Sequence, residues 1–168
     1  MDLQGGEYGV AILSRLPILE SIHHPLQNLK NFEPRSALEV TVQPPAMKTP
    51  LAFISIHNTH SLANEKIRVI EVQALLNGIA ERKHPVILAG DFNGAPGDAS
   101  LELLENNGWS VLKKDNATAS QTYPSDKPDR EIDFFVVKGL PAFSYKHHVV
   151  DERMASDHRP IAAVIQLR

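Results

Sequence analysis

Two periods of apolar residues alternate along this chain. Pro85-Val86-Ile87-Leu88-Ala89 is an unbroken apolar run that stops at Gly90, the pattern of a strand buried on both faces. Residues 8–13 and 37–42 read as strands, and Leu51–His57 as a central strand with apolar side chains on both faces. In residues 64–82 the period changes. Ile67, Ile70, Ala74, Leu75 and Ile79 recur at helical spacing, which predicts a long helix laid on a sheet, with Asn64 as its cap and Glu65 in its first turn. Asp98 caps a shorter helix through Leu104 that stops near Asn106 to Gly108, and Pro44-Pro45 marks a hairpin loop. Ile132-Asp133-Phe134-Phe135-Val136-Val137 reads as another strand, and Pro160 opens the last one, Ile161–Leu167.

Ionisable groups at the edges of these runs carry the candidate chemistry, because burying a charge is costly without a partner or a task. Beyond Gly90 the period of two turns Phe92 to the core and leaves Asp91 and Asn93 on one side, at the carboxyl edge where α/β proteins place ligands. Asp133 is the only charge in its strand and needs a buried partner, for which His158 is the best candidate. A carboxylate on one imidazole nitrogen fixes the tautomer and favours the protonated ring, which can donate to a phosphoryl oxygen or a leaving group. Neighbours in extended chain diverge, so Asp157 can face a divalent cation while His158 faces substrate. These groups together read as a phosphate-ester hydrolase site. His57 lies inside its strand and reads as structural, and the doublets His23-His24 and His147-His148 diverge without matching carboxylates.

Five stretches stand in the order found in a known family. They are Tyr8-Gly9-Val10-Ala11-Ile12-Leu13-Ser14-Arg15-Leu16-Pro17-Ile18, Asn58-Thr59-His60, Gly90-Asp91-Phe92-Asn93, Thr122-Tyr123-Pro124 leading to Ile132-Asp133, and Ser156-Asp157-His158-Arg159-Pro160. The chain resembles, nearly end to end, the endonuclease/exonuclease/phosphatase superfamily of deoxyribonuclease I-like, metal-dependent phosphoesterases. The resemblance implies an α/β fold, a four-layer sandwich of two packed β-sheets flanked by helices. It also implies that Asp91 orients or deprotonates the attacking water, that Asn93 holds a phosphoryl oxygen, and that Asp157 is a metal ligand alongside Asp91. By the same resemblance His158, aligned by Asp133, stabilises developing negative charge, His60 contacts a second phosphate oxygen, and Arg35 lies near the phosphate, where a guanidinium fork suits phosphate oxygens. Oxygen donors without thiolate favour Mg2+ or Mn2+. Complete members begin with a further portion that carries the principal glutamate ligand, and no acid before Tyr8 stands in that context. The expectation is therefore an N-terminally incomplete fold with an uncovered sheet edge, which implies self-association.

Composition narrows this modestly. The 168 residues suffice for one domain with a single core. The net charge of −3 and the absence of a Lys/Arg run give no strong case for nucleic acid, so a nuclease is the alternative within the same family. The loop around Tyr123 offers an aromatic and hydroxyls to a small phosphate ester or lipid headgroup. If the missing portion is essential, the domain is a catalytically silent binding module instead. Zero cysteines exclude a disulfide framework and thiol catalysis. No transmembrane run is present, Met1 to Gly6 carries no signal-peptide pattern, and localisation stays open.

Overall fold

The computed structural model of the chain describes residues 2–3, 6–26, 32–60 and 62–168; Met1, Gln4 and Gly5 of the opening stretch lie outside them. A short antiparallel pair, β1 (Asp2–Leu3) and β2 (Gly6–Glu7), comes first. There follow β3 (Ile18–Pro25), β4 (Ser36–Val42), β5 (Leu51–His57), helix α1 (Glu65–Gly78) and β6 (Val86–Asp91). The second half holds α2 (Ala99–Asn106), β7 (Ser110–Val111), β8 (Asp133–Lys138), β9 (Phe143–Val149) and β10 (Ile161–Leu167). One sheet has the order β3-β4-β5-β6-β8-β7, and β9 and β10 form a separate hairpin. β5 and β6 are parallel, as a crossover through α1 allows, while β4–β5 and β6–β8 are antiparallel.

Alternation sends two apolar sets to opposite faces of the large sheet. Ala52, Ile54 and Ile56 of β5, Val86 and Leu88 of β6, and Phe134 and Val136 of β8 pack under the helices, against Val72, Leu75 and Ile79 and against Leu101, Leu104 and Trp109. On the other face Ile87 and Val137, with Leu51, Phe53 and Phe135, meet Phe143 and Ile165 of the hairpin. Among the described residues the layers run helices, large sheet, small sheet.

Three expectations change. Residues 8–13 have strand composition but form no strand. No described strand pairs with them to take up their backbone N–H and C=O groups, and Leu13 is 99% exposed. Helix α1 ends at Gly78 rather than running on to residue 82. Glycine is a weak helix former, and a Cβ there would stand 3.0 Å from His24 Nδ1. Asn64 makes no side-chain cap; its amide donates instead to the His60 carbonyl at 2.9 Å.

The buried face of α1 is also rotated. It consists of Arg68, Glu71, Val72 and Leu75, while Ile70 is 40% exposed. Both charged residues reach fixed partners: Arg68 pairs with Asp98, and Glu71 accepts from Asn58 and Thr59. Asp98 is in turn the N-cap of α2, accepting from the Ser100 N–H, so the ion pair ties the two helices together. A buried charge imposes its partner's position on the helix more strictly than an apolar side chain does.

Candidate active site

The pairing register assembles the site. His57 lies beside Asp91 in the parallel β5–β6 pair, and Asp91 lies opposite Asp133 in the β6–β8 pair. Three polar residues therefore stand in a row at one end of the sheet. Gly90 permits this, because a Cβ there would lie 2.0 Å from the Ile56 carbonyl oxygen and its φ is +145°. Phe92 turns inward, fully buried, and meets Phe134 edge to face at 5.9 Å.

Asn93, at φ +52°, holds Asp91 from below. Its backbone N–H donates to Asp91 Oδ1 at 2.8 Å, and its side-chain amide donates to Asp91 Oδ2 at 3.0 Å and to the Asn58 carbonyl at 3.0 Å. Asparagine tolerates the left-handed region because its amide bonds locally. These bonds engage both amide hydrogens, so contact with a phosphoryl oxygen requires one of them to be exchanged.

His158 comes from the loop before β10. Its Nδ1 lies 2.8 Å from Asp133 Oδ2, which also accepts from the Thr122 hydroxyl, and its Nε2 lies 3.9 Å from Asp91 Oδ2. Two loops brace each other around it: Ser125 N–H donates to the Asp157 carbonyl, Arg159 N–H to the Thr122 carbonyl, and Arg159 Nε to the Ser125 carbonyl. Tyr123 packs on the His158 ring at 4.8 Å, and the Arg130 guanidinium covers Tyr123 at 4.9 Å.

On the opposite side Arg35 is buried. It donates to Glu33 at 2.7 Å and to the His57 ring at 3.0 Å, and it lies 3.5 Å from His60 Nδ1. All eight residues expected from sequence, Arg35, His60, Asp91, Asn93, Tyr123, Asp133, Asp157 and His158, line one open cavity of about 630 Å³. Asp157 is exposed on its wall. Asp91, Asp133 and His158 each offer a ligand atom within 4.8 Å of the others, a group able to hold a metal ion.

Burial, followed by the charge of Asp133, pushes Asp91 up to about 7. The Asp133 hydrogen bond raises His158 above its ordinary value. Burial, then the Arg35 charge, lowers His57 to about 4. The two imidazoles beside Asp91 are thus pushed in opposite directions, His57 down and His158 up.

His57 closes β5 rather than lying inside it, and it lines the cavity with Nε2 3.4 Å from Asp91 Oδ2. The available signal was that β5 ends at His57 itself, as β6 ends at Asp91. Arg130 and Ser156 also line the cavity; Ser156 opens the stretch that carries Asp157 and His158, whereas Arg130 reaches the wall through its bridge to Tyr123, which nothing in its local sequence marks.

Fold and site together define a two-sheet α/β sandwich with an acid and histidine cavity at its strand ends. The chain belongs to the endonuclease/exonuclease/phosphatase family, whose family model matches residues 2–158. Proteins of this family hydrolyse phosphoester bonds. The fold is deoxyribonuclease I-like, as in several solved structures. A functionally unknown conserved protein from Enterococcus faecalis V583 superposes with a TM-score of 0.75 at 19% identity, over 91% of this chain and 68% of that one. A family protein from Bacteroides thetaiotaomicron gives 0.74 at 20%, over 90% and 66%. A mannosyl-6-phosphatase from Bacteroides thetaiotaomicron VPI-5482 gives 0.71 at 19%, over 89% and 67%. The chain thus spans about two thirds of the length of these structures. No curated protein matches it.

Proposed function

We propose that this chain is a divalent-metal-dependent hydrolase of phosphate esters, acting on a small-molecule or lipid-headgroup substrate. The observation that carries this is the Asp133–His158 hydrogen bond of 2.8 Å, which aims the far imidazole nitrogen at the cavity beside Asp91. Asp91, beside the far nitrogen of His158, orients the attacking water or takes its proton. The water oxygen joins phosphorus, the ester P–O bond breaks, and His158 gives its proton to the departing oxygen. His60 contacts a second phosphoryl oxygen, Tyr123, whose ring lies between His158 and Arg130, offers its edge and hydroxyl to the rest of the substrate, and Arg35 adds positive charge beside His57 and His60.

The donor set fits a hard cation. Carboxylates converge on the cavity, and the chain contains no cysteine. Asp91 and Asp157 would hold Mg2+ or Mn2+, and Asp91 also has ligand atoms of Asp133 and His158 within 4.8 Å. Such an ion, when bound, supplies positive charge to the phosphoryl oxygens. The mannosyl-6-phosphatase among the structural neighbours supports a small phosphate ester over a polynucleotide, as does the net charge of −3.

The test is hydrolysis of an aryl phosphodiester and its monoester with magnesium, manganese or chelator, using Asp91→Ala and His158→Ala as controls. The expected result is metal-dependent turnover that falls by about 10²-fold or more in each variant while the fold persists. A folded wild-type protein with no turnover on either ester would favour a silent binding module.

A further inference from the structure

We propose that Glu71 is a positioning residue for this site, acting through Asn58 and Thr59 on Asn93 and so on Asp91. The inference rests on the hydrolase reading of Asp91 and Asn93. Glu71 sits on α1, 1% exposed, and its carboxylate accepts three hydrogen bonds from the turn that leaves β5. These come from Asn58 Nδ2 at 3.0 Å, the Thr59 N–H at 2.9 Å and the Thr59 hydroxyl. Asn58 is itself fully buried. Its N–H donates to the Asp91 carbonyl at 3.0 Å, and its own carbonyl accepts the Asn93 amide at 3.0 Å.

A path of three hydrogen bonds therefore runs from a helix carboxylate to the site: Glu71 to Asn58, Asn58 to Asn93, Asn93 to Asp91. Helix attachment alone does not require it. Val72 and Leu75 bury the same face of α1, and Arg68, three residues earlier, pairs with Asp98. Buried polar groups are needless for adhesion where apolar packing is available. What only a carboxylate provides here is an acceptor for three donors of one turn, which fixes the Asn58 carbonyl and with it the rotation of the Asn93 amide. Thr59 is held by the same group, so the position of its neighbour His60 follows.

The test compares Glu71→Met, which leaves the three donors without a partner, with Glu71→Gln, whose amide oxygen accepts two of them and whose NH2 faces the reoriented hydroxyl. Two readings are taken: the Asn93 side-chain amide resonance in 1H–15N spectra, assigned by its loss in Asn93→Asp, and kcat and KM for an aryl phosphate ester with manganese. The expected result for Glu71→Met is a moved Asn93 resonance and a kcat about 10²-fold lower with KM nearly unchanged, the cost of a small misplacement of reacting groups. Glu71→Gln should recover most of both. If Glu71→Met does not fold, Thr59→Val, which removes one of the three bonds, is read the same way with a smaller expected change. An Asn93 resonance at its wild-type position, or an activity loss that only tracks the fraction unfolded, overturns the proposal. If the wild-type protein turns over neither ester, the hydrolase reading fails, and the resonance still decides whether Glu71 positions Asn93.

Discussion

The Asp133 carboxylate has two tasks that a substitution can separate. It accepts from the Thr122 hydroxyl and holds His158, and that hydrogen bond, with the carboxylate's charge behind it, raises the imidazole. Asp133→Asn keeps the shape and removes the charge, so its loss of turnover should be smaller than that of His158→Ala; a larger loss would point to a structural role. Asp91 bears on stability as well. Its folded value of about 7 stands above the ordinary 3.8, so from about pH 4 to 7 the unfolded chain loses this proton before the folded one does. Stability therefore falls as pH rises through that window. Asp91→Asn does not titrate, so in chelator its stability relative to wild type should grow between pH 4 and 7, by about 4 kcal/mol, and level off above. Urea unfolding at several pH values reads this directly, and a constant difference would remove burial as the cause. At this scale Asp91 and Asn93 were legible because a period of two and a glycine fix their side of the strand. His57 was not, because its place beside Asp91 comes from a register between strands separated by α1.

Among the elements, some strands were legible, while β3 (Ile18–Pro25) and β9 (Phe143–Val149) were not foreseen and the helix face was misplaced. Leu51–His57 and Ile161–Leu167 have the expected bounds, since unbroken apolar runs flanked by polar or proline positions leave little freedom. In α1 the apolar stripe of the sequence competes with Arg68 and Glu71, and partners distant in sequence decide the outcome. Asp98 lies 30 residues from Arg68, a distance over which helical periodicity carries no information. This ion pair predicts a large and asymmetric effect. Arg68→Met strands Asp98, whose side chain is 5% exposed, and should cost about 3–5 kcal/mol in urea unfolding. Asp98→Asn retains the cap on the Ser100 N–H and should still lose most of the ion pair, whereas Asp98→Ala loses both and should cost about 1 kcal/mol more. Equal costs for the two Asp98 variants would show that the cap contributes nothing here.

The two sheets of the whole molecule differ in how their outer strands are guarded. β3 ends the large sheet with a register shift between Ile18 and Glu20, two histidines and a proline, all features that discourage further pairing. β10 has none of these. Its seven residues, Ile161-Ala162-Ala163-Val164-Ile165-Gln166-Leu167, carry no charge, pair with β9 without a break, and among the described residues pair with nothing else. A two-stranded hairpin is a marginal sheet, and Val164 at its centre is 65% exposed. We expect a second copy of the chain to pair antiparallel along this edge with Val164 opposite Val164, because a seven-residue strand centred on one residue is complementary to itself about a twofold axis. Light scattering at high protein concentration should then give twice the monomer mass. Val164→Lys, a change at an exposed position, should restore the monomer mass with little change in Tm, since two like charges would meet at the centre of the shared edge. A wild-type protein that remains monomeric at high concentration would mean that the edge of β10 does not accept a second copy.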